Sequence, residues 1–114
     1  MKRKEVSDKQ GISGKAVRLA GLLDYQRDAL VSRTFIDRKT GTVTLFAFDK
    51  GQALSEHTAP FDALVYIVDG EAVVYVAGGR NVVKSGDMII MPANKPHALS
   101  AEKKFKMLLV MIRS

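Results

Sequence analysis

From residue 29 onward the chain is a succession of short apolar runs, each cut off by a turn signal. ALVSRTFID stops at RKTG and TVTLFAFD at KG; FDALVYIVDG passes into EAVVYVAGG, RNVVKSG into DMIIMP, and KFKMLLVMIR closes the sequence. Valine, isoleucine, phenylalanine, tyrosine and threonine dominate these runs, residues whose branched or aromatic side chains fit a pleated surface. Asp69-Gly70 and Gly78-Gly79 sit between apolar runs and predict hairpins, and Lys84-Ser85-Gly86-Asp87 predicts another tight turn. No helix-length window after residue 30 carries a helical period, so no helix of more than three turns is expected there. Strands recurring every ~8–12 residues predict an all-β sandwich or barrel.

The runs are unusual in being apolar on both faces. Leu64, Tyr66 and Val68 share one face of their run while Ala63, Val65 and Ile67 share the other. Val73 and Tyr75 oppose Ala72, Val74 and Val76, and Met107, Leu109 and Met111 oppose Leu108, Val110 and Ile112. A one-sided strand alternates apolar with polar residues. Only one face of a small β-domain can point into its core, so the other needs cover, and a second copy of the chain is the expected cover. The anticipated interface is the Leu64, Tyr66 and Val68 face or the C-terminal strand, in a homodimer.

With 114 residues the chain has room for one domain with one core. Residues 1–15 are polar, dotted with glycine and without periodicity, and read as a flexible tail; residues 16–114 read as the single β-barrel domain. Val17 to Leu23 is a short apolar stretch, a strand or a turn of helix. The net charge of +6 raises the question of nucleic acid. Five basic residues against Glu5 and Asp8 lie in the first fifteen positions, and the remainder carries 13 basic and 10 acidic residues with no basic stripe. No basic segment has the interleaved aromatics of a single-strand binder, so the excess reads as solubilising and no nucleic-acid partner is expected. The N-terminal charges are followed by no apolar signal core, and no apolar run approaches the ~20 residues of a membrane-spanning helix, so no membrane is expected. With no cysteine in the chain, a cytoplasmic protein is expected.

Two histidines stand out because they are the only ones. His57 closes Gly51-Q-A-L-S-E-His57, with Gly70 downstream, and His97 follows Gly86, five residues, Pro92 and a turn ending in Pro96. These two stretches resemble the paired motifs of the cupin superfamily, G-x5-H-x-H-x3-4-E-x6-G and G-x5-P-x-G-x2-H-x3-N. The resemblance covers about residues 28 to 114 and looks closest to the small single-domain cupins. It implies a double-stranded β-helix, or jelly-roll barrel, in which the two motifs lie side by side. It also implies a divalent transition metal such as Zn, Ni, Mn or Fe, held by two histidines and a glutamate of the first motif and the histidine of the second. Carried over position by position, the first histidine is His57 and the last is His97. The second histidine falls on Ala59 and the glutamate on Ala63, while the motif-two glycine falls on Asn94 and the final asparagine on Ala101.

Two of the four implied ligands are therefore alanine, which has no donor atom. A zinc site takes about four ligands and an iron oxygenase two histidines with a carboxylate. Asp62 supplies that carboxylate if Pro60 shifts the strand register by one; without the shift Asp62 points to the opposite face. Met91 and Met107 are candidate soft donors, though methionines on β-runs are usually core filler. Three readings of the pair stay open: polar groups lining a barrel that orients a small ligand, an incomplete divalent metal site, or two structural histidines. The function carried forward is a barrel binding a small organic ligand around His57, His97, Asp62 and Met91, with His57 and His97 as the metal-ligating candidates. The alternative is a metal-dependent enzyme of oxygenase or isomerase type. A third class is a ligand-sensing regulator acting only through a partner, since the chain leaves no room for a helix-turn-helix.

Overall fold

The structure is a computed structural model and describes residues 3–5 and 11–113. The apolar runs become strands: β1 Arg3–Glu5, β2 Leu30–Arg38, β3 Gly41–Phe48, β4 Ala53–His57, β5 Asp62–Val76, β6 Gly79–Lys84, β7 Met88–Met91, β8 His97–Ser100 and β9 Phe105–Ile112. A single 3-10 turn at Leu19–Gly21 is the one helical element among the described residues, none of which forms a helix long and apolar enough to cross a membrane. One curled sheet runs β1-β2-β3-β9-β5-β8-β4, with β6 and β7 also paired to β5. Every pairing except β1 with β2 is antiparallel.

The sheet curls because β5 belongs to both of its halves. From 62 to 70 this 15-residue strand pairs with β9, and with β7 over part of that length; from 71 to 76 it pairs with β6 and β8. The changeover lies at a register shift between Ile67 and Asp69, followed by Gly70 at φ +79°. Bulges of this kind increase local twist and redirect a strand. Glycine is required there for two reasons, its left-handed backbone and the carbonyl oxygen of Lys104, into which a Cβ would run. Asp69-Gly70 is therefore not the hairpin that its dipeptide predicts. The strand continues through it because residues on both sides find partners. A hairpin does form at the β5–β6 junction, one residue before the expected Gly78-Gly79: Ala77 (φ 50°) and Gly78 (φ 83°) form a two-residue loop with both central residues left-handed, and Gly79 opens β6.

Strand alternation then sorts the side chains. Ala63, Val65, Ile67, Met91, Met107, Phe48 and Phe105 point into the barrel and are buried. Phe48 and Phe105 are register partners whose rings stack with centroids 4.4 Å apart. The opposite face of the β2-β3-β9-β5 layer is apolar as expected, but part of its cover comes from the chain itself. Leu19, Leu22, Leu23 and Tyr25 lie over Val31, Leu45, Ala47, Val68 and Leu108. Polar ties hold this segment down: Arg33 donates to the Leu22 carbonyl (2.9 Å), Lys106 to that of Ala20 (2.6 Å), and the Tyr25 hydroxyl to Asp69 (2.6 Å). A second copy is thus not needed over Val68. Within the segment 1–15 expected as a tail, Arg3–Glu5 pairs in parallel with Leu30, Val31 and Ser32, residues 11–15 carry only a turn, and the rest of that expectation lies outside the described residues.

Gly70→Ala is expected to lose about 2–3 kcal/mol of stability, since it adds a carbonyl clash to a left-handed backbone. Gly78→Ala, at φ +83° with open space around its Cβ, is expected to lose only the backbone cost of roughly 1 kcal/mol. Urea denaturation of both variants checks the order; equal losses would refute the close approach as the reason for Gly70.

Candidate functional site

β4 and β8 form a short antiparallel pair at one end of the barrel, with Leu54 opposite Leu99 and, after a register shift, His57 opposite His97. The loop that delivers His97 is tied down at several points. Asn94 takes a left-handed backbone at φ 64° and donates its N–H to the Ala59 carbonyl (2.7 Å), while Ala77 donates to the Pro96 carbonyl (2.8 Å). Asp62 accepts the N–H of Ala93 at 2.9 Å. With Pro92 and Pro96 restricting the backbone between them, His97 enters β8 with a set orientation. Its side chain is buried at 5% exposure, whereas His57, on the end strand β4, stands exposed at the mouth.

The two imidazoles meet edge to face, with their Nε2 atoms 3.0 Å apart and their planes at 72°. Each ring is also bonded through Nδ1 to a carbonyl two residues before it, His57 to Ser55 (2.9 Å) and His97 to Lys95 (3.2 Å). A carbonyl oxygen only accepts, so both Nδ1 atoms carry hydrogen. Both Nε2 atoms are then left with lone pairs, and these face each other. One proton shared between them, or another electron-pair acceptor, resolves that opposition. A second proton is disfavoured: burial first, and then the neighbouring His57 charge, hold the His97 pKa below its ordinary value of 6.5.

Behind the pair lies a cavity of about 50 Å³, a few times the ~10–15 Å³ that one water requires. Its walls are apolar apart from the histidines: Leu54, Ala59, Phe61, Ala63, Met91, Leu99, Met107, Leu109 and Met111. Ala59 and Ala63, where the resemblance has a histidine and a glutamate, both line it. The structure thus brings His57, His97, Met91 and Met107 together. Asp62 is not with them: the strand register is unshifted, so Ala63 turns inward and Asp62 outward, where its carboxylate holds the Ala93 N–H. Among the described residues no group of three or more His, Cys, Asp and Glu is placed to hold a metal. The residues present therefore do not fit the divalent ion that the resemblance implies. Phe61 and Met111 are wall residues that the motifs did not single out; the alternation of β9, which puts Met111 on the same face as Met107 and Leu109, is the signal that marks Met111.

Because folding keeps His97 from its proton, stability should be full above pH 6.5 and fall as pH drops below it, where the unfolded chain protonates first. Thermal melts between pH 8 and 5 check this, and His97→Gln should flatten the profile; an unchanged slope in that variant would assign the pH dependence elsewhere.

The family pattern described as a cupin domain matches residues 44–113. A conserved protein of unknown function from Streptococcus pyogenes is 39% identical over 78% of this chain and 78% of its own, with a TM-score of 0.76. A cupin 2 conserved barrel domain protein from Leptotrichia buccalis is 42% identical over 82% of this chain but 46% of its own, with a TM-score of 0.80, so this chain spans under half of that relative. A cupin superfamily protein from Desulfitobacterium hafniense is 27% identical over 89% of this chain and 93% of its own, with a TM-score of 0.84. No curated protein matches the chain.

Proposed function

The chain belongs to the cupin domain family, and from that premise we propose that its barrel binds a small organic ligand whose polar end meets the His57–His97 pair. The observation that carries this reading is the convergence of two Nε2 lone pairs at 3.0 Å on the wall of an otherwise apolar cavity. Small-molecule sites have this composition, an apolar lining with a few convergent polar groups that set orientation. The pair calls for a ligand that brings a proton: a carboxylic acid or a hydroxyl group, shared between or donated to the two nitrogens. The cavity limits the apolar body to a few carbon atoms. Divalent metals bind weakly at most on this reading, because two neutral imidazoles carry no charge to offset the ion.

Isobutyrate is a suitable probe. Calorimetric titration is expected to show binding that takes up a proton and strengthens from pH 8 to 6, with at least a tenfold loss in His97→Leu. Absence of binding by isobutyrate and by short alcohols, or equal binding by the variant, would overturn the reading.

We propose also that two copies pair across the outer face. Five strands place Ile36, Val43, Val110, Leu64 and Ile90 in one register row, beyond the region that Leu19 to Tyr25 cover. Its end members Ile36 and Ile90 are 50% and 52% exposed, with Tyr66, Met88 and Ile112 exposed nearby. A contiguous apolar row of this length is what a stable partner covers. Light scattering of the wild type is expected to give a dimer at micromolar concentration, and Ile90→Lys a folded monomer. A monomeric wild type would end this proposal.

A further inference from the structure

The small-ligand reading leaves three side chains of the cavity unused. Met91, Met107 and Met111 all line it, and among the described residues their thioethers are the only side-chain atoms there, besides the imidazole nitrogens, that carry a lone pair for a metal. Their placement is specific. Met91 on β7 and Met111 on β9 are the two register partners of Ala63 on β5, one on each side. Directly opposed residues have Cβ atoms about 4.5–5.5 Å apart. The small Ala63 side chain thus lies between two long, flexible ones, and three rotatable bonds let each thioether reach over it. Ala63 is the position at which the resemblance has its glutamate. A carboxylate is missing there, and a methionine is the register neighbour on either side.

The imidazoles come to the same space from the β4–β8 side. Their Nδ1 hydrogens are committed to the Ser55 and Lys95 carbonyls, so both Nε2 lone pairs are presented together. Metal–imidazole bonds of about 2.0–2.1 Å from one ion to two atoms 3.0 Å apart would meet at roughly 90–100°. Widening that angle toward the tetrahedral value requires a small turn of the exposed His57 ring about its Ser55 bond.

Every donor in this set is uncharged. Bringing an ion into an apolar cavity costs energy in proportion to the square of its charge, so a divalent ion without a carboxylate pays about four times as much as a monovalent one. Thioethers are soft ligands that select Cu(I), and imidazole also serves copper. Charge and softness favour the same ion. We propose that the cavity binds Cu(I), held by His57 Nε2, His97 Nε2 and the thioethers of Met91 and Met111. This goes beyond the organic-ligand reading, since it gives the histidine pair a different occupant and gives the methionines a part other than packing.

The test uses the full chain, in which no cysteine competes for copper. Anaerobic titration with Cu(I) in excess ascorbate, against bicinchoninate as competitor, is expected to give one ion per chain bound at least a hundredfold tighter than Zn(II) or Mn(II). Copper-edge X-ray absorption is expected to show nitrogen and sulfur neighbours together. His97→Leu should abolish binding. The near-isosteric double variant Met91→Leu/Met111→Leu should weaken it at least tenfold and remove the sulfur signal. Should that variant fail to fold, the wild type labelled at its methionine methyls is titrated with Ag(I); Met91 and Met111 should shift while outward-facing Met88 does not. Tighter binding of Zn(II), an unchanged Cu(I) affinity in the folded double variant, or silent Met91 and Met111 methyls would overturn the proposal. Isobutyrate binding without Cu(I) binding would end this inference and leave the earlier reading standing.

Discussion

One strand serving two halves of the sheet is the constraint on which the structure depends. β5 has to satisfy β9 and β7 in its first part and β6 and β8 in its second, and unpaired backbone groups in a buried strand would be costly. The strand meets that demand by changing register after Ile67 and passing Gly70 in a left-handed conformation. Everything at the functional end follows from where that register stands. It turns Ala63, Val65 and Ile67 into the barrel and leaves Asp62, Leu64 and Tyr66 outside. A slip by one residue would reverse every one of these positions, bringing the Asp62 carboxylate into the cavity and removing the contact that holds the Ala93 N–H. The uncharged character of the pocket is thus set by strand register.

The barrel was legible in the sequence because it rests on local signals. Branched and aromatic runs of strand length and the paired histidine motifs act over a few residues, and the turn read at Gly78-Gly79 forms one residue earlier, at Ala77-Gly78. His57 and His97 were legible as a pair because the motifs anchor each to a glycine at fixed spacing. What stayed hidden depends on contacts distant in sequence. Asp69-Gly70 has the composition of a hairpin, and only the partners waiting on both sides decide that the strand runs on. The apolar outer face could be read, but not that Leu19, Leu22 and Leu23 cover part of it; that requires Lys106 and Arg33 to reach the Ala20 and Leu22 carbonyls. The inward place of Asp62 was conditional on a register shift, and Pro60 does not produce one.

The hydrogen bonds of the two histidines to the backbone are local. A structural histidine earns its burial by joining distant parts of the chain, as Lys106 does in binding Ala20. Here each Nδ1 bonds to a carbonyl only two residues back, at Ser55 and at Lys95, and so fastens its own strand end and nothing else. Among the described residues the long-range hydrogen-bond partner of each imidazole is the other imidazole. That contact sets lone pair against lone pair until a proton or another acceptor enters between them.

The loop before His97 supports the same conclusion from another direction. Residues 92–96 are held by two prolines, by the Asn94 backbone contact to Ala59, by the Ala77 contact to Pro96 and by Asp62 on Ala93. So many restraints on five residues are more than is needed to connect β7 to β8. They fix the direction from which His97 enters the barrel, and therefore the line along which its Nε2 meets that of His57. One imidazole is buried at the end of a restrained loop while the other stands exposed at the mouth, its Nδ1 on the Ser55 carbonyl. That asymmetry suits a site in which an occupant arrives past His57 and is received by His97. The restraints hold the buried His97 side chain in the orientation from which its Nε2 meets His57.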